Sequence, residues 1–193
     1  MRIATIILAG GEGSRIGGEK PLRVLGGLTL LDRAMAFARK SNGPIAVAVR
    51  HENQLPVKDA ELILDEPSIK GPLSGLVVGL GFATRTGAEA LLTIPADMPF
   101  LPVDLAARLA DAIPGHDAAI ARSGGEIHPV CGLWLPRSLN SIPAYLATSR
   151  RSLKGFAELV GYTAVDWQTD PIDPFLNINV PEDLHAAERL LAG

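Results

Sequence analysis

Residues 3–8 (IATIIL) form a nearly unbroken aliphatic run, and five glycines follow within residues 9–18. The run lacks the alternation of a half-buried strand, so it must be covered on both faces, as in the middle of a parallel sheet. A glycine-rich loop leaving the C-terminal end of such a strand lies where open parallel sheets bind ligands. These two features together predict a layered α/β chain with a loop built for close backbone approach to a ligand.

The remaining pattern agrees. Apolar runs at 45–49, 62–64, 90–94, 118–121, 130–135, 162–167 and 175–178 read as strands. Helical periodicity appears at 30–38, 71–83, 105–113, 137–148, 151–160 and 182–191. Thr29 is the expected N-cap of the first helix with Asp32 as its capping-box partner, and Asn42-Gly43 closes that helix. Pro72 suits the first position of the second helix, where its missing N–H costs nothing. Strand–helix alternation of this kind predicts a three-layer α/β/α arrangement around a mostly parallel central sheet. No internal repeat or long linker divides the 193 residues, so one domain over 1–193 is expected.

Composition narrows the class further. With 47% hydrophobic and 20% charged residues, the chain is neither disordered nor collagenous, and one cysteine, Cys131, cannot make an internal disulfide. A net charge of −3 argues against a nucleic-acid partner. No apolar run approaches the roughly 18 residues of a membrane span, and the N-terminus lacks the small-residue cleavage pattern of a signal sequence. A soluble cytoplasmic chain, working on neither nucleic acid nor membrane, is the expectation.

The loop Leu8-Ala9-Gly10-Gly11-Glu12-Gly13-Ser14-Arg15-Ile16-Gly17-Gly18-Glu19-Lys20-Pro21 carries the clearest chemistry. Its glycines let backbone N–H groups crowd round an anion, Arg15 can fork onto phosphate oxygens, and Lys20 supplies a compact charge. It is not a Walker A loop, because Glu19 stands at the lysine position and no Ser or Thr follows. Nor is it a dinucleotide fingerprint, since Ile16 takes the third glycine position and the acid about 20 residues on, Asp32, falls in a helix. The bland alternative is a glycine-rich turn with solvated charges.

A second feature is Ile94-Pro95-Ala96-Asp97-Met98-Pro99-Phe100, which sets Asp97 just beyond an apolar strand in a proline-stiffened turn. A carboxylate there can hold Mg²⁺ beside substrate phosphates, or it can cap the helix that follows.

In these residues the chain resembles the molybdenum cofactor guanylyltransferases (MobA-type), within the nucleotidyltransferases of GT-A-like, Rossmann-related fold. LAGGEGSRIGGEKPL is similar to the family's L-A-G-G-x-x-x-R-M-G-G-x-D-K, GPLSGL at 71–76 to its G-P-L-[AS]-G, and IPADMPFLP at 94–102 to its metal turn. The segment around His128-Pro129 and the tail FLNINVPEDL have counterparts as well.

The resemblance implies that Leu8, Ala9, Gly10 and Gly11 shape the loop against a nucleotide, that Arg15 and Lys20 hold its phosphates, and that Asp97 coordinates Mg²⁺. It implies that Asp65, ending the third strand, reads guanine N1–H and its amino group. It further implies that Asn177 and Asn179 lie near the metal and the pterin, and that His128 lies in a loop that could meet the pterin. The implied reaction transfers GMP from GTP to the terminal phosphate of molybdopterin, with molybdoenzyme apoproteins or delivery chaperones as further partners. A cytidylyltransferase on the same cofactor and a noncatalytic nucleotide-binding or cofactor-delivery module are the alternatives. The loop is one residue shorter than the family's. Where many relatives have Asn-x-Asn after the second strand, this chain has Val47-Ala48-Val49 before Arg50-His51. Arg150 and Arg151 open an expected helix, where cations oppose the helix dipole.

Overall fold

Four aliphatic segments meet edge to edge to make the centre of the molecule, β1 (Ile3–Leu8), β4 (Ile45–Val49), β5 (Glu61–Leu64) and β6 (Ala90–Pro95). The computed structural model describes residues 1–10 and 20–192. The sheet has seven strands in the order β5-β4-β1-β6-β8-β7-β9, adding β7 (Ala118–Ser123), β8 (Glu126–Trp134) and β9 (Tyr162–Trp167). Pairings among β5, β4, β1 and β6 are parallel. Strand β8 alone runs antiparallel to its neighbours β6 and β7, while β7 and β9 pair in parallel. The C-terminal ends of β1, β4, β5 and β6 therefore share one edge of the sheet.

Successive side chains of each strand point to opposite faces, and both faces are covered. Ile7, Val47, Val49, Leu92 and Ile94 pack with residues of α1 (Leu30–Ala38) and α3 (Leu105–Ala112). Ala4, Ile6, Ala48 and Leu91 pack with α2 (Pro72–Arg85), α4 (Ile142–Ala147) and α5 (Leu153–Val160), around Trp134, Tyr145 and Phe156. This is the expected three-layer α/β/α fold. The last helix, α6 (Pro181–Ala192), packs with the short hairpin of β2 (Val24–Leu25) and β3 (Leu28–Thr29) through Leu25, Leu30, Ile178 and Ala187.

Local rules explain several element ends. Thr29 accepts from the Asp32 N–H at 3.0 Å while Asp32 accepts from the Thr29 N–H at 3.2 Å, the expected capping box, worth about 1 kcal/mol. Asn42, at φ 51°, takes the left-handed turn that sends the chain back into β4.

Other expectations are corrected. The stretch between the glycine-rich loop and the first helix, read without a strand, contains the β2–β3 hairpin, whose strands are too short for any periodic signal. Residues 136–141 form a 3₁₀ turn ahead of α4 instead of one helix over 137–148. The strand expected to begin at Val130 begins at Glu126, so His128 and Pro129 lie in β8 and not in a loop. The segment 175–178 joins no sheet. Arg150 and Arg151 precede the helix they were expected to open: Ser152 is its N-cap, Arg150 pairs with Glu158 at 2.9 Å, and Arg151 donates to the carbonyls of Leu146 and Arg150. Cys131 is fully buried, and burial together with the Asp97 charge holds its thiol well above the usual value, so it is core and not a nucleophile.

The entry into β4 is tight. A Cβ on Gly43 would sit 1.8 Å from the Ile3 carbonyl oxygen, a backbone atom that cannot swing aside. Gly43→Ala should therefore lower stability by about 2–3 kcal/mol, read as a lower urea midpoint with unchanged slope. An unmoved midpoint would show that this approach of β1 and β4 is not constrained.

Candidate active site

The shared edge of β1, β4, β5 and β6 forms one wall of a cleft of about 630 Å³. Leu8 and Gly10 follow from β1, Arg50 from β4, Asp65 from β5, and Pro95 and Asp97 from β6, while Asn177 closes the cleft from the C-terminal tail. Gly71 and Pro72 bring in the start of α2, with Ser74 and Gly75 facing the cleft from its first turn. A Cβ at position 10 would stand 2.2 Å from Asp65 Oδ2, so any larger residue there would displace the Asp65 carboxylate. Arg15 and Gly11 lie outside the described residues.

Lys20 and Asp97, 77 residues apart in sequence, meet at the cleft. Lys20 Nζ donates to Asp97 Oδ2 at 2.5 Å, to Asn179 Oδ1 at 3.0 Å and to Asn177 Oδ1 at 3.3 Å. An ammonium has three N–H donors, and three acceptors lie within reach. The Lys20 side chain is only 13% exposed, which removes much of the screening that weakens surface pairs. The tail is pinned to the same turn, since the Ile178 N–H donates to the Asp97 carbonyl at 2.9 Å. Asp97 does not cap the next helix, for which Asp104 stands at the N-cap position.

The other carboxylate oxygen, Asp97 Oδ1, is buried without a hydrogen-bond partner among the described residues. A buried, unsatisfied anionic oxygen suits a cation, and the neighbouring amide oxygens of Asn177 and Asn179 are hard donors of the kind Mg²⁺ or Mn²⁺ accepts. Among the described residues no cluster of three or more His, Cys, Asp or Glu could hold a metal alone. Asp97 could hold one together with the oxygens of an anionic substrate.

Asp65 is half-buried, and burial raises its carboxyl above the usual value. A hydrogen bond from the Ser74 hydroxyl and the charge of the Arg50 guanidinium offset this only in part. Sequence reasoning assigned nothing to Arg50, Gln54 or Ser74. Gln54 Oε1 accepts from the Arg50 N–H at 2.7 Å and its Nε2 donates to the Ala9 carbonyl at 3.1 Å, tying the chain beyond β4 to the start of the glycine loop. Only the position of Arg50 directly after a strand of the ligand-facing edge could have marked it.

His128 stands behind the tail and not in the cleft lining. Its ring stacks on Phe175 with centroids 4.7 Å apart, and Nε2 lies 2.7 Å from Ser123 Oγ. The single Ser123 hydroxyl proton goes to Asp173 Oδ1 at 2.9 Å, so the imidazole is the donor in the first contact. Asp173 also accepts from the Phe175 N–H at 2.9 Å, and Trp167 meets Phe175 edge-on at 5.5 Å. These contacts brace the turn that delivers Asn177 and Asn179. Burial lowers the His128 pKa, although Asp173 and Glu126 pull the other way. The neutral ring's contribution to stability is therefore present above the ordinary value of 6.5 and is lost as pH falls through the lowered one.

For Asp65 the sign is opposite. A carboxyl raised in the folded state favours folding while protonated, and that contribution is lost as pH rises from 3.8 through the raised value. Asp65→Asn should thus raise the thermal midpoint at pH 7, and the gain should shrink as pH approaches 4. A midpoint that fell at pH 7 would contradict the burial argument.

The geometry is shared with known proteins. Residues 5–162 match the family model of the MobA-like NTP transferase domain. A molybdenum cofactor guanylyltransferase of Cereibacter sphaeroides is 39% identical over 195 residues, covering 99% of this chain and 98% of that protein. The crystal structure of molybdopterin-guanine dinucleotide biosynthesis protein A from Archaeoglobus fulgidus superimposes with a TM-score of 0.77 at 23% identity, covering 98% of each chain. A Mycobacterium tuberculosis protein solved in complex with manganese gives a TM-score of 0.71 at 13% identity over 98% of each chain. With a strand-edge cleft and a family match that runs from β1 into β9, this chain belongs to the MobA-like NTP transferases and is a nucleotidyltransferase.

Proposed function

We propose that this chain transfers GMP from GTP to the terminal phosphate of molybdopterin and releases pyrophosphate, with Mg²⁺ as its metal. The observation that carries this reading is the contact of Lys20 with Asp97, Asn177 and Asn179 at the mouth of a cleft that also holds Asp65. That the 39%-identical relative is a molybdenum cofactor guanylyltransferase supports the choice of nucleotide and acceptor.

The acceptor phosphate is already an anionic nucleophile, so no strong base is needed. Its oxygen attacks the α-phosphorus of GTP, and the new P–O bond forms as the bond to the β-phosphate oxygen breaks. The electron pair leaves with pyrophosphate. The barrier is electrostatic, because two anions must meet and the leaving group gathers charge. Lys20, positioned by its three acceptors, would offset that charge through space, Arg15 and the N–H groups of Gly10 and Gly11 would share the phosphates, and Leu8 and Ala9 would shape the loop against the nucleotide. Asp97 would hold Mg²⁺, which supplies further charge neutralisation when bound. Asp65 accepts from guanine N1–H and the 2-amino group, two parallel donors that a carboxylate matches. Asn177 and Asn179 face the pterin phosphate from the tail, with His128 bracing that side of the acceptor site.

Pyrophosphate release should be measured with each of the four nucleotides, with and without molybdopterin. Release is expected with GTP and molybdopterin only; release with CTP instead, or independent of the pterin, would defeat the assignment. Lys20→Ala and Asp97→Ala should each lower turnover at least about 100-fold. Full Mg²⁺-dependent activity in Asp97→Ala would remove the metal assignment.

A further inference from the structure

Strand β4 raises a specificity question. Val47 and Val49 are fully buried on the face toward α1 and α3, opposite the cleft. They cannot touch a base. The next residue, Arg50, is exposed and lines the cleft alongside Asp65 and Gly10. Both side chains flank the same glycine: the site of a Cβ on Gly10 is 2.2 Å from Asp65 Oδ2 and 3.6 Å from Arg50 Cγ. Gln54 holds the Arg50 backbone in register with Ala9 through its contacts at 2.7 Å and 3.1 Å.

We infer that Arg50 is a specificity-determining residue whose guanidinium donates to guanine O6 and N7 while Asp65 accepts from N1–H and the 2-amino group. This rests on the guanylyl-transfer reading and extends it to an atom pair. Guanine offers two acceptors in one plane beside two donors, and a planar fork next to a carboxylate matches all four. Adenine opposes both partners, with an amino donor at position 6 and no 2-amino group. Cytosine offers Asp65 a single amino donor beside the N3 acceptor, and it has no N7. Lys70, the other described cation lining the cleft, is a single point charge and cannot grip two coplanar acceptors.

The test is equilibrium binding of GTP, 7-deaza-GTP and CTP to the whole chain and to Arg50→Ala, Arg50→Lys and Lys70→Ala, each checked for an unchanged melting profile. The wild-type chain should prefer GTP over 7-deaza-GTP by about 10-fold, the discrimination expected of one bidentate contact. That ratio should collapse to within about twofold in Arg50→Ala and Arg50→Lys, and survive in Lys70→Ala whatever that change does to overall affinity. An undiminished ratio in Arg50→Ala, full recovery by lysine, or the same collapse in Lys70→Ala would overturn the inference while leaving guanylyl transfer intact. Failure of the wild-type chain to bind GTP, or equal binding of CTP, would instead strike the guanylyl-transfer reading itself.

Discussion

The Lys20 ammonium holds the site together. It joins a turn after β6 to a tail that arrives 80 residues later, and no backbone ladder connects those segments. Because the pair is largely shielded from water, removing either partner costs more than a surface ion pair would, since the other is left charged and poorly solvated. The arrangement also means that positive charge is in place before any substrate arrives. A site that need not reorganise gives its full electrostatic effect to the transition state, whereas flexible surface cations lose much of theirs to solvent. The bidentate pair of Arg122 with Asp166 and the Arg85–Glu61 pair are comparably short, yet both lie exposed at the surface and contribute little.

The same edge keeps two acids in conditions that folding alone would not favour. Asp65 is pushed toward protonation by burial, and Asp97 leaves one oxygen unpartnered among the described residues. In the core, by contrast, Thr93 Oγ1 is matched with the Trp134 indole N–H, the Gly132 N–H and the Gly132 carbonyl. Polar groups are thus satisfied where the fold has free choice and left short of partners where a ligand can complete them. That distribution is what a stability cost accepted for function looks like at the level of atoms.

How much of this was legible in the sequence follows from the range of each determinant. Strand β1, the capping box at Thr29 and the N1 proline of α2 depend on residues within a turn or two, and they were readable. So was Asp97, because an acid after an apolar strand needs only the strand to be placed. The reversal of β8 was not, since periodicity gives a strand its faces but not its direction. His128 was expected in a loop because residues 126–129, the start of β8, carry no continuous apolar run. The tail over 175–178 has a strand's composition but is held by Phe175, Asp173 and Ile178 reaching partners 47 to 81 residues away. Gln54 and Arg50 gave no motif because their roles arise only when β4 is laid beside β1.

The brace behind the tail explains how such distant pieces achieve a fixed geometry. Ser123 ends β7 and His128 lies within β8, so the contacts to Asp173 and Phe175 start from paired strands and not from loops. Sites carried by regular elements inherit the rigidity of the sheet. The tail asparagines Asn177 and Asn179 are therefore referenced to β7 and β8, Asp65 to β5, and Lys20 to β6 through Asp97 and to the tail through the asparagines. Two substrates meeting across this cleft would each be registered against the same sheet. Their relative position then depends on strand pairing, the least deformable coordinate the fold possesses, which is what an in-line transfer between two anions requires.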